Sequence, residues 1–99
     1  MAYLNRENGR NIYYEDNGNG ATAIILIHAW GMNLRAWDGT IPHLLDAGHR
    51  VVTLDHRGCG LSDKDFDDMS IDAIASDVVA LVAELGLEKV MLNGWSIGG

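Results

Sequence analysis

The pattern best suited to chemistry is a serine with a glycine two residues before it and another two residues after it. Gly94, Ser96 and Gly98 form G-x-S-x-G directly after a short apolar segment typical of a buried strand. Glycine suits both positions, because a Cβ would clash where strand and helix backbones approach each other in a sharp turn. Such a turn holds strained backbone angles and lifts the serine hydroxyl off the sheet. Ser96 is therefore the candidate nucleophile.

An attacking serine also needs backbone N–H groups that stabilise the negative charge of a tetrahedral intermediate. The N–H of Ile97, at the start of the following helix, is one candidate donor. A second donor is expected in residues 28–32, the loop after an apolar strand, where the N–H of Trp30 is the best candidate. His28, in the same loop, is interpreted as a structural histidine, because the catalytic base is expected to follow the serine in the chain. Trp30 and Trp95 flank the site and either shape an acyl pocket or pack beneath the turn.

The elements that must hold these residues alternate between strands and helices. Ser70 suits the N-cap of the clearest helix, and Gly86 suits the position just after its end. Strand, helix and strand in succession predict βαβ units, and thus a parallel sheet with ligands at the carboxyl ends of its strands. The predicted strands are residues 11–15, 23–27, 50–55 and 89–93, and the predicted helices are residues 34–47, with a break, and 70–85. The apolar face expected for the second helix comprises Ile71, Ile74, Ala75, Val78, Leu81, Val82 and Leu85.

Composition excludes several classes of protein. The 99 residues suit one small domain, and 47% hydrophobic with 21% charged residues is a globular mixture. Seven scattered basic residues against fourteen acidic ones give a net charge of −7, which argues against nucleic-acid binding. The single cysteine, Cys59, excludes an intrachain disulfide and a cysteine-rich metal site. Apolar runs are too short to span a bilayer and no signal peptide is visible, so a cytoplasmic protein is expected.

Three further features have plain structural interpretations. Residues 63–68 begin like a calcium-binding loop, but Asp68 stands where glycine is required and Ile74 where glutamate is required. No metal site is therefore predicted. Cys59 is interpreted as a packed loop residue, and Asp55, at a strand end, as a capping or turn residue.

Three segments in this order resemble the N-terminal part of the α/β-hydrolase family. They are residues 26–32 with Trp37 downstream, residues 54–62, and the nucleophile elbow at residues 94–99. The chain is most similar to the group of esterases, lactonases and cofactor-free haloperoxidases, although Ala29 stands where the family usually has glycine. The resemblance implies an α/β fold whose sheet is mostly parallel, with helices on both faces. It also implies attack by Ser96 on a small-molecule ester or lactone, without a cofactor.

The family order places the catalytic acid and histidine after the nucleophile. Only three residues follow Ser96, and all four histidines precede it. We therefore expect residues 1–99 to be the N-terminal part of a single α/β-hydrolase domain, a fragment that is inactive and loosely packed when made alone.

Two other functions remain open from the sequence. Gly94 and Gly98 also fit the G-x-x-x-G of a dinucleotide-binding oxidoreductase, although Gly31 stands alone in the first strand–helix loop. A non-catalytic interaction module could keep the fold without the chemistry.

Overall fold

The structure, a computed structural model, describes residues 2–6, 9–18, 22–28, 32–64, 66, 69–87 and 89–94. Its elements follow the predicted alternation of strands and helices. In chain order they are β1 (Ala2–Asn5), β2 (Asn11–Asn17), β3 (Ala23–Ile27), a 3₁₀-helix (Leu34–Trp37), α1 (Ile41–Asp46), β4 (Arg50–Leu54), α2 (Ile71–Glu84) and β5 (Val90–Gly94). The α/β fold expected from the sequence is confirmed.

The strands of the described residues form one mixed sheet in the order β1-β2-β4-β3-β5. β3 pairs with β4 on one side and with β5 on the other, both in the parallel direction that the βαβ pattern predicts. β2 pairs with β4 and β1 with β2 in the antiparallel direction, which extends the sheet at the other edge. The sequence did not predict β1.

Two apolar layers place the helices on opposite faces of the sheet. Every side chain of β3 is buried, as expected for a continuous apolar strand covered on both sides. Ile25 and Ile27 pack in the layer that contains Val78 of α2. Their neighbour Leu26 points the other way and packs with Ile41 of α1. Helices on both faces, as predicted, therefore cover β3.

α2 begins and ends where its sequence signals predict. The Ser70 hydroxyl accepts a hydrogen bond from the Ala73 N–H at 3.1 Å, and Gly86 has φ of +64° after the helix end. The predicted apolar face is wrong at two positions, since Ile71 and Ala75 are exposed. The buried face of α2 instead includes the charged residue Asp77, a position that the apolar pattern does not predict. The residues that α2 buries are Ala73, Ile74, Asp77, Val78 and Leu81.

Asp77 is buried because two arginines neutralise it. Arg57, in the loop after β4, donates to both carboxylate oxygens of Asp77 at 2.8 and 2.7 Å. Arg6, after β1, donates to the same carboxylate at 2.8 Å. The Arg57 guanidinium also lies 4.2 Å from the ring centre of Phe66. These contacts tie the β4 loop and the β1 end to α2, and they offset the cost of burying the charges.

The segment predicted as a broken helix at residues 34–47 is indeed two short helices. Pro42 lies in the first turn of α1, where its missing N–H costs nothing. Thr40 occupies the N-cap, but its side chain makes no capping hydrogen bond. None of the helices within the described ranges has the length and apolar character needed to cross a membrane.

The buried ion pair predicts a large difference between two aspartate substitutions. Asp77→Ala leaves the Arg57 charge buried without its carboxylate, so we expect a loss of about 3–5 kcal/mol of unfolding free energy. Asp16→Ala removes a pair with Arg50 whose two side chains are each 25% exposed, and should cost less than about 1 kcal/mol. Urea titrations of the full-length protein, followed by far-UV dichroism, measure both losses. Equal losses for the two variants would contradict this account.

Candidate active site

The carboxyl ends of the three parallel strands lie side by side. Ile27, the last residue of β3, is the register partner of Leu54 in β4 and of Gly94 in β5. Adjacent strands are about 4.8 Å apart, so the loops that follow them leave the sheet from one short line. This line is where ligands bind in parallel α/β sheets.

Of the predicted site residues, the structure places Gly94 and no other. Gly94 is the half-buried last residue of β5, directly opposite the end of β3. The candidates Ser96, Ile97, Gly98 and Trp30 lie outside the described residues. Their roles therefore stay predictions. The structure describes where the loops that contain them begin, at His28 after β3 and at Gly94 in β5.

Two buried histidines connect the loops that follow β3 and β4. The backbone N–H of His56 donates to Nε2 of His28 at 3.0 Å, and Nε2 of His56 lies 3.0 Å from the carbonyl oxygen of His28. Both side chains are buried and their ring centres are 4.4 Å apart. These hydrogen bonds assign Nε2 of His28 as an acceptor and Nε2 of His56 as a donor. They support the interpretation of His28 as a structural histidine.

The environment of His56 disfavours its charged form. Burial lowers the pKa of His56, and the proximity of His28 lowers it further, against smaller opposing effects of the hydrogen bond to the His28 backbone and of Asp77 and Asp55. Within the described part of the chain, Nδ1 of His56 is buried without a hydrogen-bond partner. A proton added there would have no acceptor, so His56 holds its place as a neutral ring.

Asp55, directly after β4, accepts two backbone N–H groups from different loops. Its Oδ1 accepts from Leu34 at 2.7 Å and its Oδ2 from Leu61 at 2.8 Å. Gly60 is required beside it, because a Cβ there would lie 2.2 Å from Oδ2 of Asp55. The interpretation of Asp55 as a capping or turn residue fits its bond to Leu61, six residues further along the same loop, but not its bond to Leu34, which is 21 residues away.

A cavity of about 470 Å³ lies on the β2 side of Asp55. Several of the polar side chains that line it are bonded to one another. The Tyr13 hydroxyl donates to Glu15 at 2.6 Å, and Arg35 pairs with the same carboxylate. The hydrogen bond to Glu15, with burial adding to it, raises the pKa of Tyr13 to about 12. Tyr13 therefore stays protonated at neutral pH and is no base. The lining residues are Tyr13, Glu15, Asn33, Leu34, Arg35, Asp55, Gly60 and Leu61.

Comparison with known proteins gives a consistent result. A family model for the alpha/beta hydrolase fold matches residues 22–99. A non-heme haloperoxidase of Rhodococcus erythropolis is 35% identical over 99 residues, which cover 100% of this chain and 36% of that protein. The bifunctional esterase/perhydrolase DCH of Acinetobacter calcoaceticus is 36% identical over 100 residues, with the same two coverages. The solved structure of the esterase EaEST of Exiguobacterium antarcticum matches with a TM-score of 0.91 and 31% identity, over 97% of this chain and 35% of that one.

The strand order, the aligned strand ends and these matches define the class of protein. The chain belongs to the α/β-hydrolase family, as the sequence resemblance predicted. It spans 36% of the length of the two curated relatives named above. Membership argues against the dinucleotide-binding alternative, which required a glycine-rich phosphate loop after the first parallel strand.

The lowered pKa of His56 predicts a stability that depends on pH. Below about pH 6.5 the His56 imidazole takes up a proton in the unfolded chain, whereas in the folded chain it does so only at a lower pH. The unfolded state therefore binds more protons in this window. The unfolding free energy should therefore fall as the pH drops through this window, and level off below the pKa of the folded state. Urea titrations of the full-length protein at about pH 7.5 and about pH 5.5 measure the loss.

A matched pair of variants assigns this pH dependence to one side chain. His56→Gln should show a smaller loss between the two pH values than the unsubstituted protein. His43→Gln, which replaces an exposed histidine of α1, should keep the full loss. An unchanged loss in His56→Gln would contradict the assignment.

Proposed function

We propose that the protein to which this chain belongs is a serine hydrolase that cleaves a small-molecule ester, lactone or similar acyl substrate. The observation that carries the proposal is the register of Gly94 with Ile27. Because of this register, the segment that contains Ser96 begins beside the start of the loop that contains Trp30. A nucleophile and an oxyanion donor that approach one carbonyl group from adjacent strands need this proximity.

The proposed reaction has two halves. Ser96 Oγ attacks the acyl carbon while a histidine beyond residue 99 takes its proton, and the carbonyl π electrons move to the oxygen. The tetrahedral intermediate then expels the alcohol, which receives the proton from that histidine. A water molecule next adds to the acyl-enzyme, gives a proton to the same histidine, and releases the acid and free Ser96. No metal or cofactor enters either half.

The oxyanion forms where backbone donors are expected. The N–H of Ile97 and an N–H of the loop after β3, best that of Trp30, would each donate to it. Losing one such donor typically lowers the rate about 10²–10³-fold. The fixed start of the β3 loop, where His28 and His56 are joined by two hydrogen bonds, supports a preorganised donor.

The groups described at this edge of the sheet act as supports. His56 is held neutral and buried, Asp55 accepts two N–H groups, and Tyr13 donates to Glu15. The proposed general base therefore comes from the part of the protein after residue 99, as the order of the triad in this family requires. The relatives include proteins named as an esterase and an esterase/perhydrolase, which supports acyl chemistry.

Ser96→Ala in the full-length protein tests the proposal. We expect loss of labelling by a fluorophosphonate probe and a fall in p-nitrophenyl acetate hydrolysis of roughly 10⁴-fold or more, because the nucleophile is removed. Ser76→Ala, which replaces a half-buried serine of α2, is the matched control and should label and turn over normally. Labelling that persists in Ser96→Ala would contradict the assignment. A protein that never labels would instead favour a non-catalytic module.

A further inference from the structure

The loop after β3 is held at both of its ends by two adjacent residues of the β4 loop. At its start, His28 exchanges two hydrogen bonds of 3.0 Å with His56. At its far end, the backbone N–H of Leu34 donates to Asp55 Oδ1 at 2.7 Å. All four residues are buried. The ends of the segment that contains Trp30 are thus fixed to one dipeptide.

Asp55 is itself held firmly. Its backbone N–H donates to the carbonyl oxygen of Tyr13 at 2.9 Å, and its own carbonyl accepts from the Ser62 hydroxyl at 2.6 Å. The second carboxylate oxygen accepts the Leu61 N–H, and it lies where a Cβ of residue 60 would lie, so only glycine at that position leaves room for it. A carboxylate fixed by backbone and side-chain contacts can set the position of the N–H that it accepts.

We infer that Asp55 is a positioning residue for the oxyanion hole, an inference that rests on the proposed function. It does not touch the substrate. It sets the end of the 28–34 loop through the Leu34 N–H, and so the direction in which the N–H groups of that loop point. The bond is charge-assisted and therefore stronger than a bond between neutral groups. Catalysis is sensitive to this placement, because an error of about 1 Å in a positioned group can cost about 10²-fold in rate.

Asp55→Asn in the full-length protein tests the inference. Asparagine keeps the size but offers one acceptor oxygen, so its NH₂ group faces either the Leu34 or the Leu61 N–H. With p-nitrophenyl acetate we expect kcat to fall about 10–100-fold while KM changes less than about 3-fold. The affinity for phenylboronic acid, which forms a tetrahedral adduct with a serine nucleophile, should weaken by a similar factor as kcat falls.

A control variant separates positioning from stability. Asp63→Ala leaves one backbone N–H without its carboxylate, as Asp55→Asn does, since Asp63 Oδ2 accepts the N–H of Asn11 at 2.7 Å and joins the β4 loop to β2. We expect it to lower Tm comparably but to leave kcat and boronate affinity within about 2-fold of the unsubstituted protein.

A second pair of variants covers the case in which Asp55→Asn does not fold. Gly60→Ala places a Cβ against the Asp55 carboxylate, and Gly58→Ala places one 2.8 Å from the flexible end of Met69. Both glycines have positive φ, +51° and +82°, so both alanines strain the backbone. Only Gly60→Ala should reproduce the fall in kcat and in boronate affinity.

The outcomes distinguish the inference from the proposed function. If the unsubstituted protein turns over the ester and binds the boronate, but Asp55→Asn and Gly60→Ala lower Tm alone, Asp55 is structural and the inference is overturned. If the unsubstituted protein has no Ser96-dependent activity, both the proposed function and the inference are overturned. A fall of both kcat and boronate affinity in the Asp55 and Gly60 variants, without such a fall in the two control variants, supports both the proposed function and the inference.

Discussion

The in-register pairing of β3 with both of its parallel neighbours is the constraint on which the site depends. Ile27 lies opposite Leu54 on one side and opposite Gly94 on the other. A shift of one residue in either pairing would move the strand ends apart and would also turn the buried side chains of β3 to the wrong faces. The apolar layers that α1 and α2 form on β3 therefore fix the site as well as the core.

Three consecutive polar residues after β4 bond to other elements and so fix the positions of the neighbouring loops. Asp55 reaches the 3₁₀-helix through Leu34, His56 reaches the end of β3 through His28, and Arg57 reaches α2 through Asp77. Each of the three is buried, so each bond forms in a medium where leaving a partner unsatisfied is costly. Polar groups thus position the loops, while apolar groups position the strands and helices.

The sequence predicts the elements well where one local signal decides them. β3 follows from its unbroken apolar run, and α2 from Ser70 and Gly86 at its two ends. The sequence does not predict β1, because this strand has only four residues and buries a single side chain, that of Leu4. The Asp77 position was missed because apolar periodicity ignores charged residues, although an acid four residues before Leu81 does lie on the buried face.

The candidate site likewise combines features that local sequence predicts with features that it does not predict. The G-x-S-x-G pattern names Ser96, and the alternation of strands and helices predicts its strand in a parallel sheet, so both follow from local sequence. That this strand pairs with β3 is known only from the structure. The supporting bonds of Asp55 and His56 join residues 21 and 28 positions apart. No local pattern encodes such partners, because they depend on how the loops meet after the sheet has formed.

A crystal structure of the full-length protein with Ser96 phosphonylated would show whether the loops after β3 and β5 together form one oxyanion hole. We predict that the phosphoryl oxygen lies about 2.7–3.1 Å from two backbone N–H groups, one of Ile97 and one from residues 28–32. A phosphoryl oxygen that faces solvent, with the N–H groups of residues 28–32 bonded elsewhere, would contradict it.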